Sequence, residues 1–170
     1  MTRPDEKRLL GPGFPGDDGS AAPAVHKALE AHRDGRGSYA DALGALLEAR
    51  VLVPVVAVLG DVEYDAQGLA HDKTSDMATV LMTGADGRKA LLVFTSMATL
   101  QGWRPDARPV PVTFRDAARA AVQEQADAIV LDVAGPVVFA VEGDDLRAAA
   151  AGYALGWVGD RSAWVAPEGA

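Results

Sequence analysis

ATVLMT (78–83), GADG (84–87) and RKALLVF (88–94) follow one another without interruption. Two aliphatic runs flank a four-residue loop that carries Asp-Gly, a step that tolerates the positive φ of a tight turn. The stretch therefore reads as a β-hairpin. Val80, Leu81, Leu91, Leu92 and Val93 crowd it with little alternation. Such crowding suits strands covered on both faces, so the hairpin is expected at the centre of the sheet.

Downstream, Thr95 or Ser96 caps a short helix through Met97 and Leu100, stopped by Gly102. Pro105 and Pro109 keep the next segment extended, leading into a strand at VPVT (110–113). Thr113 with Asp116 three residues on opens a helix from Phe114 to about Gln125. AIVLD (128–132) reads as a buried strand, VAGP (133–136) as a turn and VVFAV (137–141) as its return. A helix from Asp144 ends at Gly152.

Upstream, GDVEYDAQGLAHDKTSDM (60–77) is polar and irregular. VLVPVVAVL (51–59) is a strand, which Pro54 places at an edge or a bulge. Ser38 caps a helix, with Asp41 three residues on as an imperfect analogue of the capping box and Tyr39, Leu43, Leu46, Leu47 and Arg50 at helical spacing. A short helix over 24–32, carrying Val25 and Leu29, stops at Gly35 and Gly37. The expectation is an α/β (α+β) protein: a single domain with a mixed β-sheet flanked by helices. Residues 1–20, rich in Gly, Pro and Asp, are expected to form a flexible arm that adds little stability. Residues 21–151 form the domain, and 152–170 an apolar tail. In that tail Tyr153, Leu155 and Trp157 alternate, as in a strand added to a sheet edge within the chain or on a partner.

The chain has 170 residues, with 16 Lys and Arg against 24 Asp and Glu, a net charge of −8. A field of that sign excludes nucleic acid and anionic membrane surfaces as partners. There is no cysteine, which removes disulfides, thiolate metal sites and thiol catalysis. The longest apolar run, 51–59, is far short of the ~20 residues of a membrane helix. No secretory leader is apparent either, so the expected location is the cytoplasm.

Lys73, Ser75 and Asp76 could form a serine–lysine arrangement, with the lysine as base. The same order also makes an ordinary turn before a strand, with Ser and Asp bonding nearby backbone. Glu63, Asp65, His71 and Asp72 are hard metal ligands, but their spacing fits no calcium loop; a solvated acidic loop without a metal is expected. Thr95 and Ser96 sit where a strand opens a helix, a place for an anion, although no glycine-rich loop precedes them and a cap suffices. Asp132 ends a strand, where open α/β sheets gather ligands, or else simply shapes the turn. His26, His32 and His71 are scattered. Trp157 and Trp164 suit either a partner contact or the core. No catalytic residue, cofactor or metal ligand is assigned.

DKTSDMATV (72–80), DGRKALLVFTS (86–96), ARPVPV (107–112) and IVLDVAGPVVF (129–139) occur in an order and at a spacing that resemble the SseB family, a bacterial domain named for an enhanced serine-sensitivity phenotype. The actinobacterial branch is most similar, including the helix leading into LVPV (52–55). The resemblance spans about residues 36–150. It implies a small cytoplasmic domain with no catalytic residues to carry over. Val133 stands where that branch commonly has proline, which implies a less rigid turn. The expected function is a non-catalytic protein-binding or regulatory module, working with a protein partner or as a homodimer. The alternative is a domain that senses an amino-acid-like small molecule near Lys73–Asp76 and Thr95–Ser96. An enzyme of unknown class stands third.

Overall fold

The computed structural model describes residues 13–58, 63–64, 70–71 and 76–167. Helix α1 (Pro23–Arg33) begins at a proline, whose φ is already helical, and buries Val25 and Leu29. It ends at Asp34, followed by Gly35 at φ 69°. Helix α2 (Tyr39–Leu47) carries a full capping box, with the Ser38 hydroxyl and the Asp41 carboxylate each accepting from the other's backbone N–H. It stops before Arg50, which opens strand β1 (Arg50–Val58) and does not extend the helical stripe. Two short strands, β2 (Glu63–Tyr64) and β3 (Ala70–His71), pair with each other. Then follow β4 (Asp76–Thr79), β5 (Leu81–Thr83), β6 (Lys89–Val93), α3 (Met97–Trp103) and β7 (Arg108–Thr113). Helix α4 (Phe114–Gln123) is capped by Thr113, as expected. After it come β8 (Ala128–Leu131), β9 (Phe139–Glu142), α5 (Gly143–Ala150), β10 (Ala154–Val158) and β11 (Arg161–Val165).

Sheet order is β5-β6-β8-β9 in one unit and β4-β1-β7 in another. Among the described residues only the β6–β8 pair is parallel; the other strand pairs are antiparallel. Leu52 and Phe94 bridge the two units, exchanging N–H···O bonds of 2.8 Å each way. The result is a single α/β domain with mixed sheets. β1 and β6 each separate two cores, because successive strand side chains point to opposite faces. Val51, Leu91 and Val93 join Leu43, Leu46, Phe114, Ile129, Leu131 and Val141 on the side of α2, α4 and α5. Leu52, Leu92 and Phe94 join Leu100 of α3 and Ala107 on the other side.

Several expectations are corrected. The run 78–83 is not one strand. Its first part belongs to β4, where Ala78 and Thr79 pair with Val56 and Val55. Its last part belongs to β5, where Leu81 and Met82 pair with Leu91 and Ala90. The hairpin is real, but β5 lies at a sheet edge and only β6 is interior. The faces also differ. β6 is covered on both sides at Leu91–Phe94, yet Met82 and Ala140 on the α3 side of the sheet are exposed, because α3 reaches only the carboxyl end.

Pro54 lies within a central strand, opposite Pro109. The β4 ladder starts only at Val55. Leu52 turns its N–H and C=O toward Phe94, so by alternation the missing N–H of Pro54 faces that same side, in the gap where β1 changes partner. Gly102 lies inside α3 and does not stop it. Finally, β10 and β11 pair with each other and not with an edge of the main sheet.

Candidate functional site

Among the described residues three polar side chains are buried, Thr95, Ser96 and Asp132, and the fold brings all three together. β6 and β8 run parallel, so their carboxyl ends meet at Thr95 and Asp132. The Asp132 carboxylate accepts from the Thr95 N–H at 2.9 Å through Oδ1 and from the Thr95 hydroxyl at 2.6 Å through Oδ2. Asp132 has φ 50°, a left-handed conformation that aspartate adopts more readily than most residues. Its own N–H bonds Val93 O, and its carbonyl accepts from Gly135 N at 2.7 Å. A Cβ on Gly135 would stand 2.9 Å from Asp132 Cβ and 3.2 Å from Thr99 Cγ2, so this turn closes only over glycine. Val133 packs against the smaller core, giving apolar contact where proline would give rigidity.

Ser96 caps α3 in a capping box with Thr99. The Arg50 guanidinium reaches the same junction from β1, donating to Thr95 O at 2.9 Å. Thr95 and Asp132 are 6% and 4% exposed. Their polar atoms are spent on each other, so chemically this is a clasp between two strand ends.

The other sequence-chosen residues lie elsewhere. Lys73 and Ser75 fall outside the described residues, as do Asp65 and Asp72; the backbone of Asp76 begins β4, opposite Val58. Glu63 and His71 are cross-strand partners in the β2–β3 ladder. Trp164 and Trp157 lie in the β10–β11 hairpin. Leu155 and Trp164 share one face and pack on the larger core. Trp164 Nε1 donates to Asp145 Oδ1 at 2.8 Å, tying the hairpin to the first turn of α5. Burial, and then the Asp145 carboxylate, raise the pKa of the Tyr39 hydroxyl on α2, so it stays protonated. Trp157, farther along the hairpin, is 52% exposed.

A second feature escapes a residue-by-residue reading. On the sheet face that α3 leaves open, Met82, Ala90, Ala128, Val130 and Ala140 line a shallow cavity of about 200 Å³. Val138 beside it is 56% exposed. Charged side chains rim it: Asp86, Arg88, Lys89 and Glu142. Arg88 bridges two of them, donating to Asp86 at 2.6 Å and to Glu142 at 3.0 Å. The visible signal was the small residue at every second position, Ala128-x-Val130 and Val138-x-Ala140. The strand register lays Val130 beside Ala140 and Leu92. Around the sheet's amino edge, Arg88, Val122, Ala126, Asp127, Glu142, Gly143, Leu146 and Arg147 line a larger cavity of about 440 Å³.

No curated protein and no solved structure matches the chain. Among the described residues no helix is long and apolar enough to cross a membrane. The family model described as the SseB protein N-terminal domain matches residues 25–148, which reaches α1 as well as the motifs read from sequence. That span covers well over half of the 170 residues, and the chain belongs to the SseB family.

Proposed function

We propose that this chain is a non-catalytic protein-binding or regulatory module of the bacterial cytoplasm, in the actinobacterial branch of its family. The observation that carries the reading is the open sheet face. An apolar centre of Met82, Ala90, Val130 and Ala140 inside a charged rim, with the exposed Val138 two residues before Ala140, has the anatomy of a protein interface. Its small alanine side chains leave a surface that is nearly flat, and its ~200 Å³ hollow is below the usual range for small-ligand pockets. The occupant that fits is a different protein with an apolar patch and a basic surround. The net charge of −8 makes a second copy repel and a basic partner attract. The branch assignment rests on the sequence runs that lead into LVPV (52–55) and surround the late turn.

The test compares the intact chain with V138E and A140E, both at exposed positions. Each variant keeps the wild-type melting temperature and a single-chain mass by light scattering. Each loses a protein that the wild type captures from its native cell. Identical captures from wild type and variants overturn the reading. A wild-type dimer dissolved by V138E would make the occupant a second copy.

A small-molecule reading has one observation in its favour. The ~440 Å³ cavity is lined by Arg88 and Arg147 and by Asp127 and Glu142, a mix of charges that suits a zwitterion such as an amino acid. A thermal-shift panel of amino acids decides it: a ligand at 100 times its Kd adds about 2.7 kcal/mol of stability.

A further inference from the structure

Residues 13–20 lie against the carboxyl end of the sheet with almost no apolar face of their own. Phe14 is their one large apolar side chain, and it is half-buried. Their links to the rest of the fold are polar. Arg50 Nη2 donates to Asp17 Oδ1 and to Ser20 O, each at 2.6 Å. The first amide of α3, Met97 N, donates to Gly19 O at 2.8 Å. Gly19 comes so close to Met97 that an added Cβ would lie 2.5 Å from its Cγ, and its φ is +79°.

The segment also holds its own shape. Asp17 N bonds Phe14 O, Gly19 N bonds Asp17 Oδ1, and Ser20 N bonds Asp18 Oδ1. On the other side, Arg50 remains anchored to Thr95 O through Nη1, whatever its second nitrogen does. Both surfaces of the contact therefore persist when the contact breaks.

The geometry points to a strap: residues 13–20 open as a unit of their own, ahead of the rest of the fold, with the Asp17–Arg50 ion pair as the latch. Opening breaks a few polar bonds and exposes little apolar area, whereas opening β6 or β8 exposes the core; elements held so differently unfold at different free energies. The opened strap uncovers the Arg50 guanidinium and the junction of β6 with α3, which the closed strap covers. It is thus a built-in cover over the parallel strands' carboxyl end, set by one ion pair.

Hydrogen exchange on the full chain tests this under native conditions, comparing wild type with D17N. Asp17 is near the surface, so the variant folds. The Met97 amide is expected to exchange faster than those of Leu92 and Ile129 in the wild type. In D17N it gains about a further tenfold, the loss of one charge-assisted bond, while Leu92 and Ile129 are unchanged. G19A, which forces Gly19 off Met97, gives the same pattern. The proposal is overturned if Met97 exchanges in step with Leu92 and Ile129, since the strap then opens only with the core. It is also overturned if D17N leaves the Met97 rate unchanged, since the ion pair is then no latch.

Discussion

Asp132 shows how one side chain fixes local geometry. Its carboxylate takes both donors of Thr95, 37 residues away in sequence. T95V removes the hydroxyl and leaves a buried carboxylate oxygen without its partner. The expected cost is about 1–3 kcal/mol in chemical denaturation. G135A presses a methyl group into the same turn and is expected to cost about 1–3 kcal/mol by overpacking. Charge at the surface acts differently. Hydrogen bonds from Arg33 and then Arg36 hold the Asp34 carboxyl at about 2, below its ordinary value of 3.8. A carboxyl depressed on folding contributes stability that is full above its unfolded value. That stability is lost as the pH falls through the folded one. Ser38 likewise lowers Asp41, and Arg88 lowers Asp86. Acid titration of stability should therefore fall between about pH 4 and pH 2, and D34N should lose less across that window than the wild type.

At the scale of elements, local signals and long-range ones part company. Ser38 with Asp41 and Thr113 with Asp116 mark their helix starts within four residues, so α2 and α4 were legible in the sequence. S38A should lower stability by about 1 kcal/mol in thermal unfolding. The β5–β6 turn was legible for the same reason. The break at Val80 was not, because nothing in ATVLMT tells the first half to choose β1 and the second β6. Pro54 misled because its strand changes neighbour at that residue, and the change is set by Phe94, forty residues on. The apolar alternation in the tail correctly marked a strand, but its partner is the next strand, β11, across Gly159–Asp160. Thr95, Ser96 and Asp132 could each be picked out as polar residues at element ends; that they meet depended on the parallel β6–β8 pair. The hairpin yields a contrast between its indoles. W164A removes core packing and the donor to Asp145, and should cost about 2 kcal/mol, less than the ~3–5 of a fully buried Trp. W157A, at a half-exposed position, should cost under about 1 kcal/mol.

For the whole molecule, the decisive asymmetry is between the two faces of the four-stranded sheet. One face is sealed by α4 and α5 over Leu91, Val93, Ile129, Leu131 and Val141. The other is sealed by α3 only at its carboxyl end, around Leu92, Phe94 and Leu100. The remainder shows small and apolar side chains within a charged rim, on a chain of net charge −8. Under the proposed function, this face is the one that a partner protein covers. Met82 reports on it directly, because the residue is 38% exposed there and its thioether oxidises when solvent reaches it. The measurement is Met82 oxidation under a brief peroxide pulse, in the purified chain and in the intact native cell. Met82 should oxidise readily when the chain is pure, be protected in the cell, and lose that protection in A140E. Equal oxidation of Met82 in both settings would contradict a partner seated on this face.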